Sequence, residues 1–325
     1  MSNDGALRVL VTGGCGYLGS HLIRDLGSDP RFAPATIHVL DNLQRGQARA
    51  LFDLPESARY RFFEGDVLDP ATLRRALIGV DAVIHLAAIV HTPMSAENAS
   101  WVQQVNHWGT SHLLDACADE GVTRVVFASS AAVYGPGGPF REGDVCRPLG
   151  HYAQSKRRAE ETVLASRERG IRPQILRLGS FYGLAPVLRL DAVVNHLGYL
   201  AGIRRALPVH GTGEQRRPAI HVADASAALR FALTREVSEE GELFNAVNGS
   251  PSVNEVIAAI HAVRPEARVH YTEQDVLAHL SMDVDGTALQ EAGWTPTHSL
   301  EAGVRELLER FAALRPADRL PVDEL

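Results

Sequence analysis

An α/β fold built on a doubly wound parallel sheet, followed by a smaller helix-rich unit, is expected from three features of the chain. Short apolar runs alternate with amphipathic stretches from residue 8 to about 180. A glycine triplet separates the first run from the first amphipathic stretch. Beyond residue 180 helical patterns dominate. The runs are RVLVT, IHVL, YRFFEGD, DAVIHLAA, RVVFASS and QILRL. Continuous Val, Ile and Leu marks strands covered on both faces, as parallel strands are. Between them LGSHLIRDL, PATLRRALI and NHWGTSHLLDACADE have helical apolar spacing, and the order βαβαβ gives the doubly wound topology. In the second part DAVVNHLGYLAG, ADASAALRFAL, SVNEVIAAIHAV and SLEAGVRELLERF read as helices. LFNAV and RVHY read as short strands, and PVHGTGEQRRP as a loop from its Gly, Pro and charge content.

With 325 residues, 45% of them hydrophobic and 22% charged, the chain has the composition of a soluble globular protein. Its formal charge of −7 argues against nucleic-acid binding. MSNDGALRVLV lacks the pattern of a signal peptide, and no apolar run approaches a membrane span, so a cytoplasmic protein is expected. The three cysteines, Cys15, Cys117 and Cys146, form no CxxC pair, which speaks against a disulfide framework. None of the fourteen histidines falls into a ligand spacing, and no metal site is expected.

In RVLVTGGCGYLGSHL, Gly13, Gly16 and Gly19 fall between strand and helix. Glycine there permits a tight turn and lets backbone amides approach a pyrophosphate at the positive helix end. Asp41 closes the second strand in VLDN, where a carboxylate grips the ribose of a dinucleotide. A carboxylate accepts from a 2′-hydroxyl and repels a 2′-phosphate, which favours NAD over NADP; Arg45 is the nearby residue that speaks for the other choice. Asp66, in GDVLD, either accepts from the adenine amino group or caps its own loop. Downstream, HYAQSK sets Tyr152 and Lys156 four residues apart, on one face of a helix. An ammonium beside a phenol lowers its pKa and fits it for proton exchange with an alcohol.

Together these segments resemble the extended short-chain dehydrogenase/reductase family, in particular its nucleotide-sugar epimerase/dehydratase branch. The resemblance runs through TGGCGYLGS, LDNLQRG, GDVLD, HLAA, VNHWGT, SSAAVYG, YAQSK, LRLGSFYG, GTGEQRRPAIHV, FNAVNG and GWTPTHSLEAG, and so covers nearly the whole chain. It implies a Rossmann domain over residues 1–180 that binds NAD and carries the catalytic groups. Residues 181–325 would mainly bind the nucleotide sugar, with part of the chain returning to the sheet. It also implies that Ser130, Tyr152 and Lys156 are catalytic, with Lys156 also holding the nicotinamide ribose. Gly13, Gly16, Tyr17, Leu18, Gly19, Asp41, Asn42, Asp66, Val67, Leu86, Ala87, Ala88 and Asn106 would surround NAD with Tyr152 and Lys156; for Asn106 a purely structural role stands beside this one.

On the substrate side the resemblance points to Arg217 and Asn195 at the diphosphate, with Arg189 and His221 as further candidates. Ser180 stands where many relatives have asparagine, and Pro218–Ala219 replaces the usual Asp–aromatic pair. His91 and Thr92 follow HLAA, where the sugar approaches. Helices over 102–120 and 152–169 occupy the positions at which relatives pair, implying a homodimer; the apolar Val102, Val105, Leu113, Leu114 and Cys117 could equally pack onto this chain's own sheet.

The family's sugar dehydratases carry an Asp–Glu pair directly after the active-site hydroxyl, because eliminating water needs a further acid and base. Here Ala131 and Ala132 follow Ser130. The remaining groups suit reversible hydride transfer, hence epimerisation of a nucleotide-diphosphate sugar at C4 through a 4-keto intermediate. A ketoreductase or dehydrogenase would use the same residues, and a dinucleotide sensor without catalysis is the third class.

Overall fold

Each of the six apolar runs of the first part forms a strand, and a seventh strand joins them from the distant LFNA segment. The computed structural model describes residues 7–33, 35–44, 47–90, 98–237, 241–273 and 281–314; Arg45, His91 and Thr92 lie outside them. The strands are β1 (Arg8–Thr12), β2 (Thr36–Asp41), β3 (Arg59–Glu64), β4 (Ala82–His85), β5 (Arg124–Ser130), β6 (Gly137–Phe140), β7 (Arg172–Leu178), β8 (Ser180–Tyr182), β9 (Leu207–His210), β10 (Ala219–His221), β11 (Glu242–Ala246), β12 (Val269–Thr272) and β13 (Met282–Val284). The helices are α1 (Tyr17–Ser28), α2 (Pro70–Leu77), α3 (Ala99–Gln103), α4 (Gly109–Asp119), α5 (Gly150–Ala165), α6 (Val193–Gly202), α7 (Val222–Thr234), α8 (Val253–Val263), α9 (Thr287–Glu291) and α10 (Leu300–Phe311). Among the described residues no helix is long and apolar enough to cross a membrane.

The main sheet runs β3-β2-β1-β4-β5-β7-β11, with every neighbouring pair parallel. The order reverses between β1 and β4, which opens a crevice at their carboxyl ends. Alternate strand residues feed two cores. Val9, Val11, Ile37 and Val39 pack with Leu22 and Ile23 of α1 and Leu229 of α7. Leu10, Val83, Val125 and Ile175 pack with Leu73 of α2, Leu113 of α4 and Val163 of α5. The YRFFEGD run differs from the buried strand expected of it. It is the edge strand β3, with Phe62 exposed and Arg59, Arg61 and Glu64 lining a border that charges keep from further pairing.

After residue 180 the chain divides its contribution. The α7 helix and β11 return to the sheet, while α6, β9, α8 and α10 enclose a separate cluster around Leu197, Leu207, Ile260 and Leu307. The segment read as a loop, PVHGTGEQRRP, begins inside β9, where Val209 is buried and pairs with Tyr271 of β12. Helix starts follow local chemistry. Asp69 accepts from the Ala71 amide ahead of α2, and Ser252 and Glu255 form a reciprocal capping box on α8. The stretch over 102–120 is not one regular helix, because a π turn at Gln104–Trp108 links α3 to α4.

Candidate active site

The crevice between β1 and β4 is walled by the glycine loop. Gly13 has φ +71°, and a Cβ there would come 2.7 Å from the backbone nitrogen of Ala87, just past β4. A Cβ on Gly19 would lie 2.3 Å from the Gly13 carbonyl oxygen. Only glycine permits both approaches. Gly16 caps α1 with no side chain bound to the first turn, so the amide end of the helix is presented to the crevice. Asp41 sits opposite: Oδ2 accepts from the Cys15 amide and Oδ1 from the Leu43 amide, each at 2.9 Å. Leu43 adopts φ +50°, rarely held by an L side chain, and this turn aims its N–H at the carboxylate. Burial raises the Asp41 pKa and the two amides oppose it. Each oxygen keeps a lone pair for a ribose hydroxyl. Asp66 caps its own loop through the Leu68 amide (2.9 Å) and accepts from Asn42 Nδ2 (2.8 Å).

The other end of the crevice is built where β5 meets α5. Ser130 accepts from the Ala132 amide at 3.2 Å and so opens the turn Ala131–Tyr134. Tyr134 is buried and donates to Asn245 Oδ1 at 2.7 Å, a packing role. Tyr152 is partly buried on the first turn of α5. Burial raises its pKa, while the Ser130 hydroxyl, hydrogen-bonded to it, and the Arg189 guanidinium pull it down. The expected agent of that effect was Lys156. Instead the Lys156 ammonium donates to the Ala128 carbonyl (2.7 Å) and lies 4.7 Å from the Phe127 ring centroid. Burial lowers its pKa to about 7, against the opposing charge of Glu160.

A buried network links the two ends. The Ala87 amide donates to Thr12 Oγ1 (3.2 Å), Thr12 Oγ1 meets His85 Nδ1 (2.6 Å), and His85 Nε2 meets Thr110 Oγ1 (3.0 Å). Thr110 donates to the Asn106 carbonyl (2.7 Å). The Asn106 side chain accepts from the Ile89 amide (2.7 Å) and donates to the Ile89 carbonyl (3.1 Å) and Ser155 Oγ (3.0 Å). Both its amide hydrogens are engaged, so Asn106 fixes the crevice floor to α5 and does not line the crevice. This is the structural one of its two expected roles.

Of the predicted cofactor residues, all except Asn106 line the crevice: Gly13, Gly16, Tyr17, Leu18, Gly19, Asp41, Asn42, Asp66, Val67, Leu86, Ala87 and Ala88, with Tyr152 and Lys156. Arg189 lines it too, its Nε donating to Asp191 at 2.9 Å. The remaining substrate-side candidates are placed elsewhere. Asn195 is fully buried: Oδ1 accepts from the Gly183 amide, and Nδ2 donates to Tyr17 Oη and the Arg189 carbonyl, all at 2.9 Å. It therefore anchors the Arg189 loop to the glycine loop, and its amide has no hydrogen left for a diphosphate. Arg217 donates to the Arg216 carbonyl (2.8 Å), and Ser180 is exposed on β8 beside β10. His221 Nδ1 accepts from the Ala223 amide, which makes Nε2 the donor to Glu306 (3.0 Å). His91 lies outside the described residues.

Cys15, Gln44, Gln47, Ser129 and Phe181 also line the crevice and were not anticipated. Cys15 sits inside the glycine motif and Gln44 and Gln47 follow Asp41, so their proximity to the motifs was the available signal. Burial pushes the Cys15 thiol up to about 12, which removes it as a nucleophile. Among the described residues the only carboxylates lining the crevice are Asp41 and Asp66, both on the β2–β3 side.

This arrangement defines a dinucleotide-binding fold with a serine–tyrosine–lysine site at its carboxyl edge. Residues 9–246 match the NAD dependent epimerase/dehydratase family. The chain is 32% identical over 322 residues to a UDP-glucose 4-epimerase of Azospirillum brasilense, covering 91% of this chain and 89% of the relative. It is 30% identical over 321 residues to the dTDP-D-glucose 4,6-dehydratase of Mus musculus, covering 94% and 89%. The solved structure of MoeE5 in complex with UDP-glucuronic acid and NAD superposes with a TM-score of 0.78 at 29% identity, covering 93% of this chain and 98% of that one. The chain belongs to the NAD-dependent epimerase/dehydratase family of extended short-chain dehydrogenases/reductases, and the glycine cradle and Asp41 fit its cofactor.

Proposed function

We propose that the protein epimerises a nucleotide-diphosphate sugar at C4 through a transient 4-keto intermediate. The observation that carries this reading is the pairing of an intact Ser130–Tyr152–Lys156 set with a reacting end that has no carboxylate among the described lining residues. NAD, when bound, supplies the reversible two-electron chemistry. Tyr152 takes the proton of the sugar 4-hydroxyl and later returns it, while Ser130 hydrogen-bonds the same oxygen. Lys156, at the crevice floor, holds the nicotinamide ribose. Dehydration would require a second acid and base at the sugar. Ala131, buried in the turn after Ser130, and Ala132 provide neither.

Arg189, whose charge acts on Tyr152, is the cation we assign to the substrate. Ser180 and Arg217, on adjoining strands and their approach, are assigned to the same side. The division into a cofactor unit over 1–180 and a substrate unit over 181–325 is part of the proposal. So is a cytoplasmic homodimer pairing through α4 and α5; Trp108, 54% exposed beside α4, favours such a face, and three free thiols accord with a reducing compartment. The test is to denature the purified protein and measure released nicotinamide. An epimerase that retains its cofactor releases close to one equivalent per chain. Little released cofactor, with steady consumption of NADH by a keto-sugar, would instead establish a reductase.

A further inference from the structure

The end of β5 is tied to one face of α5. Ala128 accepts from Lys156 Nζ at 2.7 Å, Ser129 Oγ donates to Glu160 Oε1 at 2.6 Å, and Ser130 faces Tyr152. Residues 152, 156 and 160 fall one helical turn apart, so three consecutive strand residues address three consecutive turns. Glu160 is fully buried, and its carboxylate collects four donors. Besides Ser129 these are Arg177 Nε (2.9 Å) and Nη2 (2.8 Å) and Arg157 Nη1 (3.0 Å). Arg177 is fixed from its far side, stacked 4.7 Å from the Tyr134 ring centroid and donating to the Glu142 carbonyl. The carboxylate is thus held rigidly one turn beyond Lys156.

Lys156 needs such a neighbour. It is 3% exposed over an aromatic ring, and removing an ammonium from water favours its neutral form. The titratable and charged groups acting on the pair are His85 from β4 on Lys156, and Arg157 of α5, Arg177 of β7 and Cys146 after β6 on Glu160, with Tyr134 stacked on Arg177. Glu160 is the anion that favours the charged lysine. We propose that Glu160, fixed by Ser129, Arg157 and Arg177, is a positioning residue that keeps Lys156 an ammonium at the crevice floor. This rests on the assignment of Lys156 to the nicotinamide ribose.

The experiment is NADH binding to the full chain across pH, read by nicotinamide fluorescence, which is independent of the sugar turned over. Wild-type affinity falls along an alkaline limb as Lys156 loses its proton. Glu160→Gln combined with Arg177→Gln removes both buried charges while keeping hydrogen-bonding groups. Its limb moves down by about one pH unit, a loss of about tenfold in affinity above the wild-type limb. Arg177→Gln alone keeps the carboxylate and does not move the limb down. Glu160→Asp, the milder change, keeps the charge but draws it back by one methylene; it moves the limb down by about half a unit, about threefold, and decides the matter if the double variant does not fold. An unmoved limb in Glu160→Asp and in a folded double variant overturns the proposal for Glu160. A wild type that binds no NADH overturns the cofactor reading beneath it.

Discussion

The two walls of the crevice hold their side chains differently. On the cofactor wall the critical positions are set by backbone: Gly13 and Gly19 are where no Cβ fits, and Asp41 is aimed by two amides. On the substrate wall the polar groups with matching motif positions are engaged within the protein. Asn195 joins Tyr17, Gly183 and Arg189, and His221 joins Glu306. Arg189 is paired with Asp191 and still lines the crevice with Tyr152, on which its charge acts. A residue whose type is forced by backbone geometry has a role that its local sequence shows. A polar side chain with several reachable partners takes whichever the fold brings near.

The strongest way to break this contrast is Tyr152→Phe. It keeps the ring and removes the acid–base group, so turnover falls by about a thousandfold with folding intact; steady-state kinetics and circular dichroism check both. Next, Gly13→Ala pushes a methyl into Ala87 and strains φ by about 3 kcal/mol, weakening NAD affinity by about a hundredfold. Equilibrium binding measures it. On the other wall, Asn195→Ala leaves the Gly183 amide without its acceptor and lowers stability by about 2 kcal/mol. Urea denaturation should show that loss, and nucleotide-sugar affinity should change much less.

A finer effect comes from His85 in the connecting network, fully buried, its pKa lowered to about 3 by burial and by Lys156. The unfolded chain binds a proton at this group near pH 6.5. Between those values the unfolded state holds more protons, so the contribution to stability is complete above pH 6.5 and is lost as pH falls toward 3. Unfolding midpoints measured from pH 7 to pH 4 should decline, and His85→Gln should decline less steeply.

Much of the fold was legible because local rules govern it. The apolar runs became strands, and the glycines were needed where strand and helix meet. The Tyr–Lys spacing put both groups at the crevice. What escaped depended on partners far along the chain. Tyr17 donates to the carbonyl of Gly183, 166 residues away, and no local pattern shows that Asn195 completes this joint. Lys156 is expected to act on the neighbouring phenol, yet its ammonium donates a hydrogen bond to the Ala128 carbonyl. The role of Ser129 is not legible locally, because it depends on Glu160, set opposite it by the packing of α5 on β5. The YRFFEGD run is the strand its pattern predicts but is not covered on both faces, because apolar content alone does not separate an edge strand from a central one.

The most direct test is proton NMR of the protein incubated with UDP-, dTDP-, GDP- and CDP-sugars, uronic-acid and amino sugars included. The account predicts that at least one of them equilibrates with its C4 epimer, every hydroxyl retained and no NADH accumulating. Loss of the C6 hydroxyl to give a 6-deoxy-4-keto sugar would contradict it.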